Sequence, residues 1–304
     1  MTASSLTEDN AGSPQAAPAA AMITASYAPD FERCRLLCET ADQHVSGVTH
    51  HYILVEQNDL QLFKQLESSR RTVIDERDLL PSWLRAMSDP LSRFRRRVWV
   101  SFKTMPLRGW HVQQLRRMAI AEHVAEQMLV YCDSDVAFLR PFDCSVFWRD
   151  GRMRLFRRDR ALLRPGHEEH VIWSRNAGHL LCIESPPVSP HDYISTLISW
   201  RRQTVLDMLR RIEEMSGRNW VEAMAADRRF SECMVYGRYV DEVLAGAGHF
   251  LGSEEFCRVH WSGEPLSDAE FRDFVAGMSG DQVAIGMQSF IGTDLPRIRR
   301  LIAA

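Results

Sequence analysis

Short apolar runs alternate with helix-like segments through the first part of the chain. Runs of mostly β-prone residues cover Met22–Tyr27, His51–Val55 and Arg71–Ile74. Between them, apolar residues recur at helical spacing, after Pro29–Asp30 and again over Leu60–Leu66. A strand–helix–strand–helix–strand order with strands this short and apolar predicts parallel strands joined by right-handed crossovers. We therefore expect an α/β fold, with a mostly parallel sheet flanked by helices.

A further apolar run ends in an acidic pattern. A helix expected over His111–Gln127 leads into Met128–Cys132, which is typical of a buried strand, and Asp133 and Asp135 follow directly. Both carboxylates would lie at the carboxyl end of a strand, where open α/β sheets bind ligands. Burying them there costs free energy unless a cation or ligand compensates their charge. Carboxylate oxygens suit Mg²⁺ or Mn²⁺ carrying phosphates, although the same triplet also forms plain acidic turns.

The second half of the chain has a more helical pattern, with one short strand expected at Arg152–Phe156. Ser189–Pro190 combines an N-cap residue with proline in the first helical turn, and predicts a helix that runs through Leu197 and Ile198 to Gly217. The remaining helices are expected over residues 219–226, 230–244, 282–290 and 295–302. The carboxylates already place one ligand site in the first half of the chain. We therefore expect this helical C-terminal region to bind a second substrate.

Length and composition set the domain organisation. The chain has 304 residues, of which 45% are hydrophobic and 25% charged, a balance typical of a soluble protein with a sizeable core. Residues 1–20 have too little apolar content to fold, so we expect a disordered tail there. Residues 21–304 are expected to form a single domain, divided into halves at 21–145 and 146–304.

Charge and cysteine content narrow the class of protein. A net charge of −3 argues against a dedicated nucleic-acid binder, which is usually strongly basic. The seven cysteines are scattered without a CxxC pair, which favours free buried thiols in a reducing compartment. We recognise no signal peptide, transmembrane run or lipidation motif, and therefore expect a cytoplasmic protein, with peripheral membrane contact left open.

The first strand is not followed by a glycine-rich phosphate loop. The segment Thr24–Pro29 carries no glycine. This argues against a dinucleotide-binding Rossmann domain and against a P-loop, which both need glycines where the backbone approaches a phosphate. If phosphates bind at this sheet, another group has to hold them, and a metal ion is the simplest candidate.

Two motifs around the acidic strand carry a family resemblance. Gly109-Trp-x-x-Gln-Gln-x-x-Arg117 precedes the Asp-x-Asp pattern, and Pro141-Phe follows it. Together they resemble a largely uncharacterised bacterial glycosyltransferase-like family and, more distantly, the family 8 glycosyltransferases, which have the GT-A fold. The resemblance implies that Arg117, with Gln114 three residues before it on the same helical face, contacts a nucleotide-sugar donor. For Gln114, a polar residue on an exposed helix face is the alternative.

The resemblance continues in the second half of the chain. A Ser-Glu232-x-x-x-Tyr-Gly pattern matches the bacterial family, which makes Glu232 the candidate acceptor-binding carboxylate or base, with an ordinary exposed helical glutamate as the alternative. His260-x-x-Gly263 resembles the segment whose histidine completes the metal site in family 8. The lysine and tryptophan of that segment are absent here, which leaves the leaving-group contact of the family without an equivalent.

The resemblance implies a metal-dependent glycosyltransferase. It would use Mn²⁺ or Mg²⁺ and transfer a sugar from a nucleoside-diphosphate sugar, with a UDP-sugar as the expected donor, to a glycan, lipid or small-molecule acceptor of surface polysaccharide or glycolipid synthesis. Asp133, Asp135 and His260 would bind the metal, and Asp133 could instead contact the ribose or a metal-bound water. Near the strand ends, the side chains expected at the nucleoside are Thr24, Ser26 and Asn58.

Other functions fit the sequence less well. A haloacid-dehalogenase-type phosphatase also uses Asp-x-Asp but needs a later lysine, whereas Lys64 and Lys103 both precede Asp133. A glycosidase needs two carboxyls on either side of a sugar. The segment His167–His170 lacks the spacing of a zinc peptidase. A non-catalytic nucleotide-sugar or carbohydrate-binding protein of the same fold remains the main alternative.

Overall fold

The structure, a computed structural model, describes residues 16–93, 96–292 and 294–302. Most of the tail expected over residues 1–20 lies outside the described residues. The strands are β1 (Ala20–Ala25), β2 (Val45–Ser46), β3 (Val48–Val55), β4 (Arg71–Asp75), β5 (Arg85–Ser88), β6 (Arg97–Val100), β7 (Leu107–Arg108), β8 (Met128–Cys132), β9 (Val136–Phe138), β10 (Phe142–Asp143), β11 (Trp148–Arg149), β12 (Arg152–Phe156), β13 (Leu197–Arg201), β14 (His249–Gly252), β15 (Cys257–His260) and β16 (Ala284–Met287).

Helices lie between these strands along most of the chain. The α-helices are α1 (Phe31–His44), α2 (Leu60–Phe63), α3 (Glu76–Leu79), α4 (Gly109–Ala119), α5 (Glu168–Leu180), α6 (Arg202–Ser216), α7 (Trp220–Met224), α8 (Glu232–Arg238), α9 (Asp268–Ala276) and α10 (Leu295–Ile302). A π-helical turn, Tyr239–Val243, continues α8. Within the described residues, no helix is both long and apolar enough to cross a membrane.

The central sheet has five strands in the order β13–β8–β1–β3–β4. Strands β8, β1, β3 and β4 are parallel, and β13 runs antiparallel to β8 at the edge. This confirms the predicted α/β fold with a mostly parallel sheet flanked by helices. The first three strands and the strand before Asp133 lie where the apolar runs predicted them.

Both faces of the central sheet are buried. In β1, Ala21 and Ile23 pack into the core shared with α4, α6 and α8, whereas Ala20 and Met22 pack on the opposite face with α1. Successive side chains of a strand point to opposite faces, so an uninterrupted apolar run is what a doubly covered strand requires. This is why β8 is apolar throughout and why Thr24 is the one polar residue of β1.

The predicted helix from Ser189 to Gly217 is wrong in its first part. Residues Leu197–Arg201 form β13, which pairs with β8, and only Arg202–Ser216 is helical. The unpaired edge of β8 offers backbone hydrogen bonds and an apolar surface to this segment, and these outweigh its weak helical spacing. The predicted end of the helix is confirmed, since Gly217 adopts a left-handed φ of 65°.

A smaller sheet follows the acidic motif. Strand β9 pairs antiparallel with β16, and β16 pairs parallel with β15. The helix predicted over residues 282–290 is therefore wrong, because Ala284–Met287 completes this sheet, whereas the helix predicted over residues 295–302 is confirmed as α10. The helix predicted over His111–Gln127 ends earlier than expected. Helix α4 stops at Ala119, and a 3-10 turn, Ile120–Glu122, follows it before β8 begins.

Candidate functional site

A cavity opens where the parallel strands of the central sheet end. The carboxyl ends of β1, β3 and β8 meet at one edge, and the antiparallel β13 begins there. The cavity has a volume of about 870 Å³ and is lined by Ser26, Glu56, Asp133 and Asp135, among others. Such a volume lies in the range of about 300–1,000 Å³ that is usual for small-molecule sites. The edge is also where open α/β sheets bind their ligands.

The two carboxylates of the acidic motif are half-buried beside the cavity. Burial raises the pKa of Asp133, Arg117 lowers it and the charge of Glu232 raises it, with a net pKa of about 6. Burial and the charges of Asp133 and Asp30 raise the pKa of Asp135, and the charge of Arg33 lowers it, with a net pKa of about 7. Oδ1 of Asp135 is buried and accepts no hydrogen bond from any described residue. A buried carboxylate oxygen without a donor is the group that a bound cation would satisfy.

Arg117 joins the acidic motif to the second half of the chain. Its Nη1 lies 3.3 Å from Oδ1 of Asp133 and 3.3 Å from Oε1 of Glu232. Its guanidinium also lies over the ring of Tyr131, 5.0 Å from the ring centroid. Burial would lower the pKa of Arg117, but Glu232 and Asp133 raise it. The arginine therefore stays charged and compensates the buried Glu232 and the half-buried Asp133 at once.

Gln114 fixes the position of Glu232. Its Oε1 accepts a hydrogen bond from the backbone N–H of Glu232 at 3.0 Å, and its Nε2 donates to the backbone oxygen of Trp110 at 3.4 Å. Gln114 is almost fully buried, so the alternative of an exposed helix face does not hold for it. Trp110, Gln114 and Arg117 follow i, i+4, i+7 spacing on α4, and all three line the cavity.

The Ser-Glu-x-x-x-Tyr-Gly pattern has a structural explanation for most of its residues. Ser231 is the N-cap of α8, and its hydroxyl accepts from Met234 N. The hydroxyl of Tyr236 accepts a hydrogen bond from the N–H of Arg201, at the end of β13. A Cβ on Gly237 would lie 2.1 Å from the ring of Tyr193. The other residues of the pattern therefore cap α8 and pack it against its neighbours, and this places Glu232 in the cavity wall.

A sequence profile of DUF6492, a family of unknown function, matches residues 20–279. The chain belongs to the DUF6492 family. The match runs from β1 to just beyond α9 and therefore includes Arg117, Asp133, Asp135 and Glu232. Among proteins of curated function, none matches the sequence significantly.

The residues expected at the nucleoside are dispersed in this DUF6492 protein. Ser26 lines the cavity directly after β1. Thr24 is fully buried inside the strand, where its hydroxyl lies 3.0 Å from Nε2 of His51. Asn58 is exposed, whereas Glu56 and Asp59 on either side of it line the cavity. The structure thus brings one of the three predicted side chains to the cavity, and turns the other two away from it.

His260 lies near the acidic motif but not in a cluster with it. It pairs with Met287 across β15 and β16, and the N–H of Met287 donates to the backbone oxygen of Asp135. Two strand spacings separate the backbones of His260 and Asp135 by about 10 Å. Nε2 of His260 lies 3.1 Å from the backbone oxygen of Glu264. Among the described residues, the one grouping of three or more potential ligands within 4.8 Å is His167, His170 and Asp192.

Other cavity residues of the DUF6492 protein were not predicted as site residues. Asp30 is buried beside the acidic motif, and burial raises the pKa of its carboxyl. Arg97, the first residue of β6, lines the cavity, and its Nε lies 3.5 Å from Oε2 of Glu56. Trp173 on α5 faces Trp110, with 5.4 Å between the ring centroids. The helical spacing from Arg117 could have identified Trp110, but no local signal marks Trp173.

Proposed function

We propose that this DUF6492 protein is a metal-dependent glycosyltransferase with a GT-A-like fold, which transfers a sugar from a nucleoside-diphosphate sugar. The observation that carries the proposal is the position of Asp133 and Asp135. They lie at the carboxyl edge of a mostly parallel sheet, in a cavity of about 870 Å³, and Oδ1 of Asp135 is buried without a donor. A carboxylate whose buried oxygen has no donor is stabilised in its charged form by a cation bound at that oxygen.

The residues present fit a divalent metal ion. Asp135 and Asp133 would hold it, with Asp30 close enough to Asp135 to add its charge. Carboxylate oxygens are the ligands that Mg²⁺ and Mn²⁺ prefer. When bound, the ion would supply positive charge to the diphosphate that leaves from the sugar. The proposal does not need His260, whose ring contacts Glu264.

Basic and aromatic side chains of the cavity suit the rest of a nucleotide sugar. Arg96, Arg97 and Arg108 line it, and guanidinium groups match the oxygens of a diphosphate. Tyr27 is 49% exposed directly after Ser26, so its ring is available to stack on a base. A nucleoside at the ends of β1 and β3 would leave the side near α4 and α8 for the acceptor. UDP remains the expected nucleotide because of the family resemblance.

Arg117 and Glu232 would organise the acceptor side. The arginine holds Asp133 and Glu232 in fixed positions through its two 3.3 Å contacts. Glu232 would accept a hydrogen bond from an acceptor hydroxyl or bind its sugar. Since the carboxylate is almost fully buried and already paired with Arg117, we assign it binding and orientation in the first place.

The direct test is release of a nucleoside diphosphate. Wild type, Asp135→Asn and the exposed control Asp281→Asn are incubated with Mn²⁺ and each member of a panel of nucleotide sugars, with water as the acceptor. The proposal predicts slow release from one nucleotide class by wild type and by the control, and at least about 100-fold slower release by Asp135→Asn, as for loss of one main electrostatic contact. No release and no binding of any nucleotide would contradict the proposal.

A non-catalytic nucleotide-sugar binder of the same fold is the second candidate. The position of His260 favours it, since the ring contacts a backbone oxygen and does not join the two carboxylates. A binder would be stabilised by the nucleotide sugar in the presence of Mn²⁺, and would release no diphosphate during prolonged incubation. The two functions therefore separate in the same set of samples.

A further inference from the structure

A histidine in the wall of the cavity faces a fully buried carboxylate. His170 lies in the first turn of α5 and lines the cavity, and its Nδ1 is 3.3 Å from Oδ2 of Asp192. Asp192 is 0% exposed. Neither of the two facing atoms makes a hydrogen bond of good geometry with a described residue. Two buried polar atoms that face each other at this distance satisfy one another after a small rotation of the ring.

The surroundings keep the carboxylate ionised. Burial alone would raise the pKa of Asp192, but the contacts with His170 and Arg158 lower it. Nη2 of Arg158 lies 3.3 Å from the same Oδ2, and Oδ1 accepts from the N–H of Ile194 at 3.2 Å. An ionised carboxylate can only accept hydrogen bonds, so Nδ1 of His170 has to carry the proton. Nε2 is then left as a proton acceptor.

Aromatic neighbours hold the imidazole in place. The ring of His170 stacks on Trp173, with 4.9 Å between centroids and 23° between planes. Trp173 in turn lies next to Trp110, which is 46% exposed and lines the same cavity. All three rings line the cavity, two from α5 and Trp110 from α4, one helical turn before Gln114. Exposed indole faces of this kind provide rigid, amphipathic contact surface for a bound molecule.

We propose that His170 is the general base of the transfer reaction and that Asp192 is its positioning residue. The inference rests on the proposed glycosyltransferase function. Nε2 takes the proton of the acceptor hydroxyl, whose oxygen forms a bond to the anomeric carbon of the donor. The bond from that carbon to the diphosphate oxygen breaks, and its electron pair leaves with the nucleoside diphosphate. The imidazolium afterwards releases its proton to water.

A metal site is the other chemistry that these residues could support. The potential ligand atoms of His167, His170 and Asp192 lie within 4.8 Å of one another. However, Oδ2 of Asp192 already contacts the guanidinium of Arg158, and a metal ion bound there would be placed beside a fixed positive charge. The arrangement therefore favours a histidine oriented by a carboxylate, as in hydrolase triads.

The first experiment tests the pair without any substrate. The tautomer of His170 is read from long-range ¹H–¹⁵N correlations of histidine-labelled protein, in wild type and in Asp192→Asn. We expect the Nδ1–H form in wild type and its loss in the variant, because a neutral amide no longer requires a donor at Nδ1. An Nε2–H form in wild type would overturn the proposal. So would Zn²⁺ binding by wild type that is lost in both His167→Ala and His170→Gln.

The second experiment measures catalysis with the donor identified by diphosphate release. We expect His170→Gln to hydrolyse it about 100- to 10,000-fold more slowly than wild type, the usual contribution of a general base. The Mn²⁺-dependent stabilisation by the nucleoside diphosphate should be unchanged. His179→Gln, an exposed histidine near the end of the same helix, is the control and should match wild type.

The outcomes separate the two proposals. Hydrolysis by His170→Gln at the wild-type rate would overturn the role of His170 and leave the glycosyltransferase proposal intact. Wild type that neither binds nor hydrolyses a nucleotide sugar would overturn both, even where the tautomer is the expected one. Asp192→Asn should slow hydrolysis together with the change of tautomer. If this variant does not fold, the His170→Gln comparison alone decides.

Discussion

The side-chain oxygen of Gln114 accepts a hydrogen bond from the backbone N–H of Glu232 at 3.0 Å. This bond connects α4 to the start of α8 across the floor of the cavity. Both residues are almost fully buried, so water cannot easily replace either partner. The bond places Glu232 next to Arg117, and thereby fixes the acidic motif relative to the second half of the chain.

Gln114→Ala should lower the free energy of unfolding by about 1–3 kcal/mol, because it leaves a buried backbone donor without an acceptor. Urea denaturation of the variant and of wild type measures the difference. Gln113→Ala, at a half-buried neighbouring position of the same helix, is the control and should change the stability by less than about 0.5 kcal/mol. Equal effects of the two substitutions would show that the bond to Glu232 contributes nothing specific.

Arg117→Met should be strongly destabilising at neutral pH. The substitution leaves Glu232 and Asp133 without their shared cation, and breaking a buried ion pair in this way costs about 3–5 kcal/mol. Arg117 lowers the pKa of Asp133, so without it that pKa rises further and the carboxyl is protonated more readily. The loss of stability should therefore be larger at pH 8 than at pH 5. Arg117→Lys should recover part of it, and a loss independent of pH would contradict the pairing.

Asp135→Asn should stabilise the ligand-free protein at pH 8. The folded protein holds a proton on Asp135 up to a pKa of about 7, whereas the unfolded chain releases it near pH 4. Since the folded state binds more protons in this window, stability falls as the pH rises from about 4 to 7. We expect a gain in the free energy of unfolding of roughly 1–3 kcal/mol at pH 8, less than the full pKa difference would give, because solvent in the cavity screens part of the charge. The gain should disappear near pH 4, where the carboxyl is protonated in both states.

Denaturation of wild type, Asp135→Asn and the exposed control Asp281→Asn at the two pH values measures this gain. The control should follow wild type at both. If Asp135→Asn were less stable than wild type at pH 8, the carboxylate would be stabilised by partners other than a ligand, and the assignment of Asp135 to a cation would lose its physical basis.

Gly237→Ala tests the packing behind the family pattern. A Cβ at this position would lie 2.1 Å from Cγ of Tyr193, and Tyr193 is held by a 2.7 Å hydrogen bond from its hydroxyl to Asp241. We expect a loss of about 3 kcal/mol or more, at the upper end of overpacking effects, in thermal denaturation. Gly280→Ala has no atom within 4 Å of the added carbon and should be nearly neutral. Similar melting temperatures for the two variants would contradict the close contact.

The sequence predicted those parts of the fold that depend on contiguous residues. A single apolar segment specifies strand β8 and the carboxylates that follow it. Strands β1, β3 and β4 are likewise each specified by one apolar run. Strand β13 was missed because Leu197, Ile198 and Trp200 also fit a helical face, and only the distant edge of β8 decides between the two. The same holds for β16, which is a strand because β9 and β15 lie on either side of it.

The sequence predicted the part of the candidate site whose residues come from a single helix. The spacing of Gln114 and Arg117 on one helix indicated a shared face, and that face does line the cavity. Asp30, Trp173 and Asp192 reach the site region through tertiary contacts that no local pattern encodes. Thr24 was expected at the cavity because it lies near a strand end, but its alternation in β1 turns it toward His51.

The most direct measurement is the thermal stability of wild type and Asp135→Asn with a panel of nucleoside diphosphates, each with and without Mn²⁺. A ligand at about 100 times its dissociation constant adds about 2.7 kcal/mol to the stability of the folded state. We predict stabilisation of wild type by one nucleotide only when Mn²⁺ is present, and none in the folded Asp135→Asn protein. Stabilisation that does not depend on the metal or on Asp135, or none with any nucleotide, would contradict a metal–nucleotide site at the acidic motif.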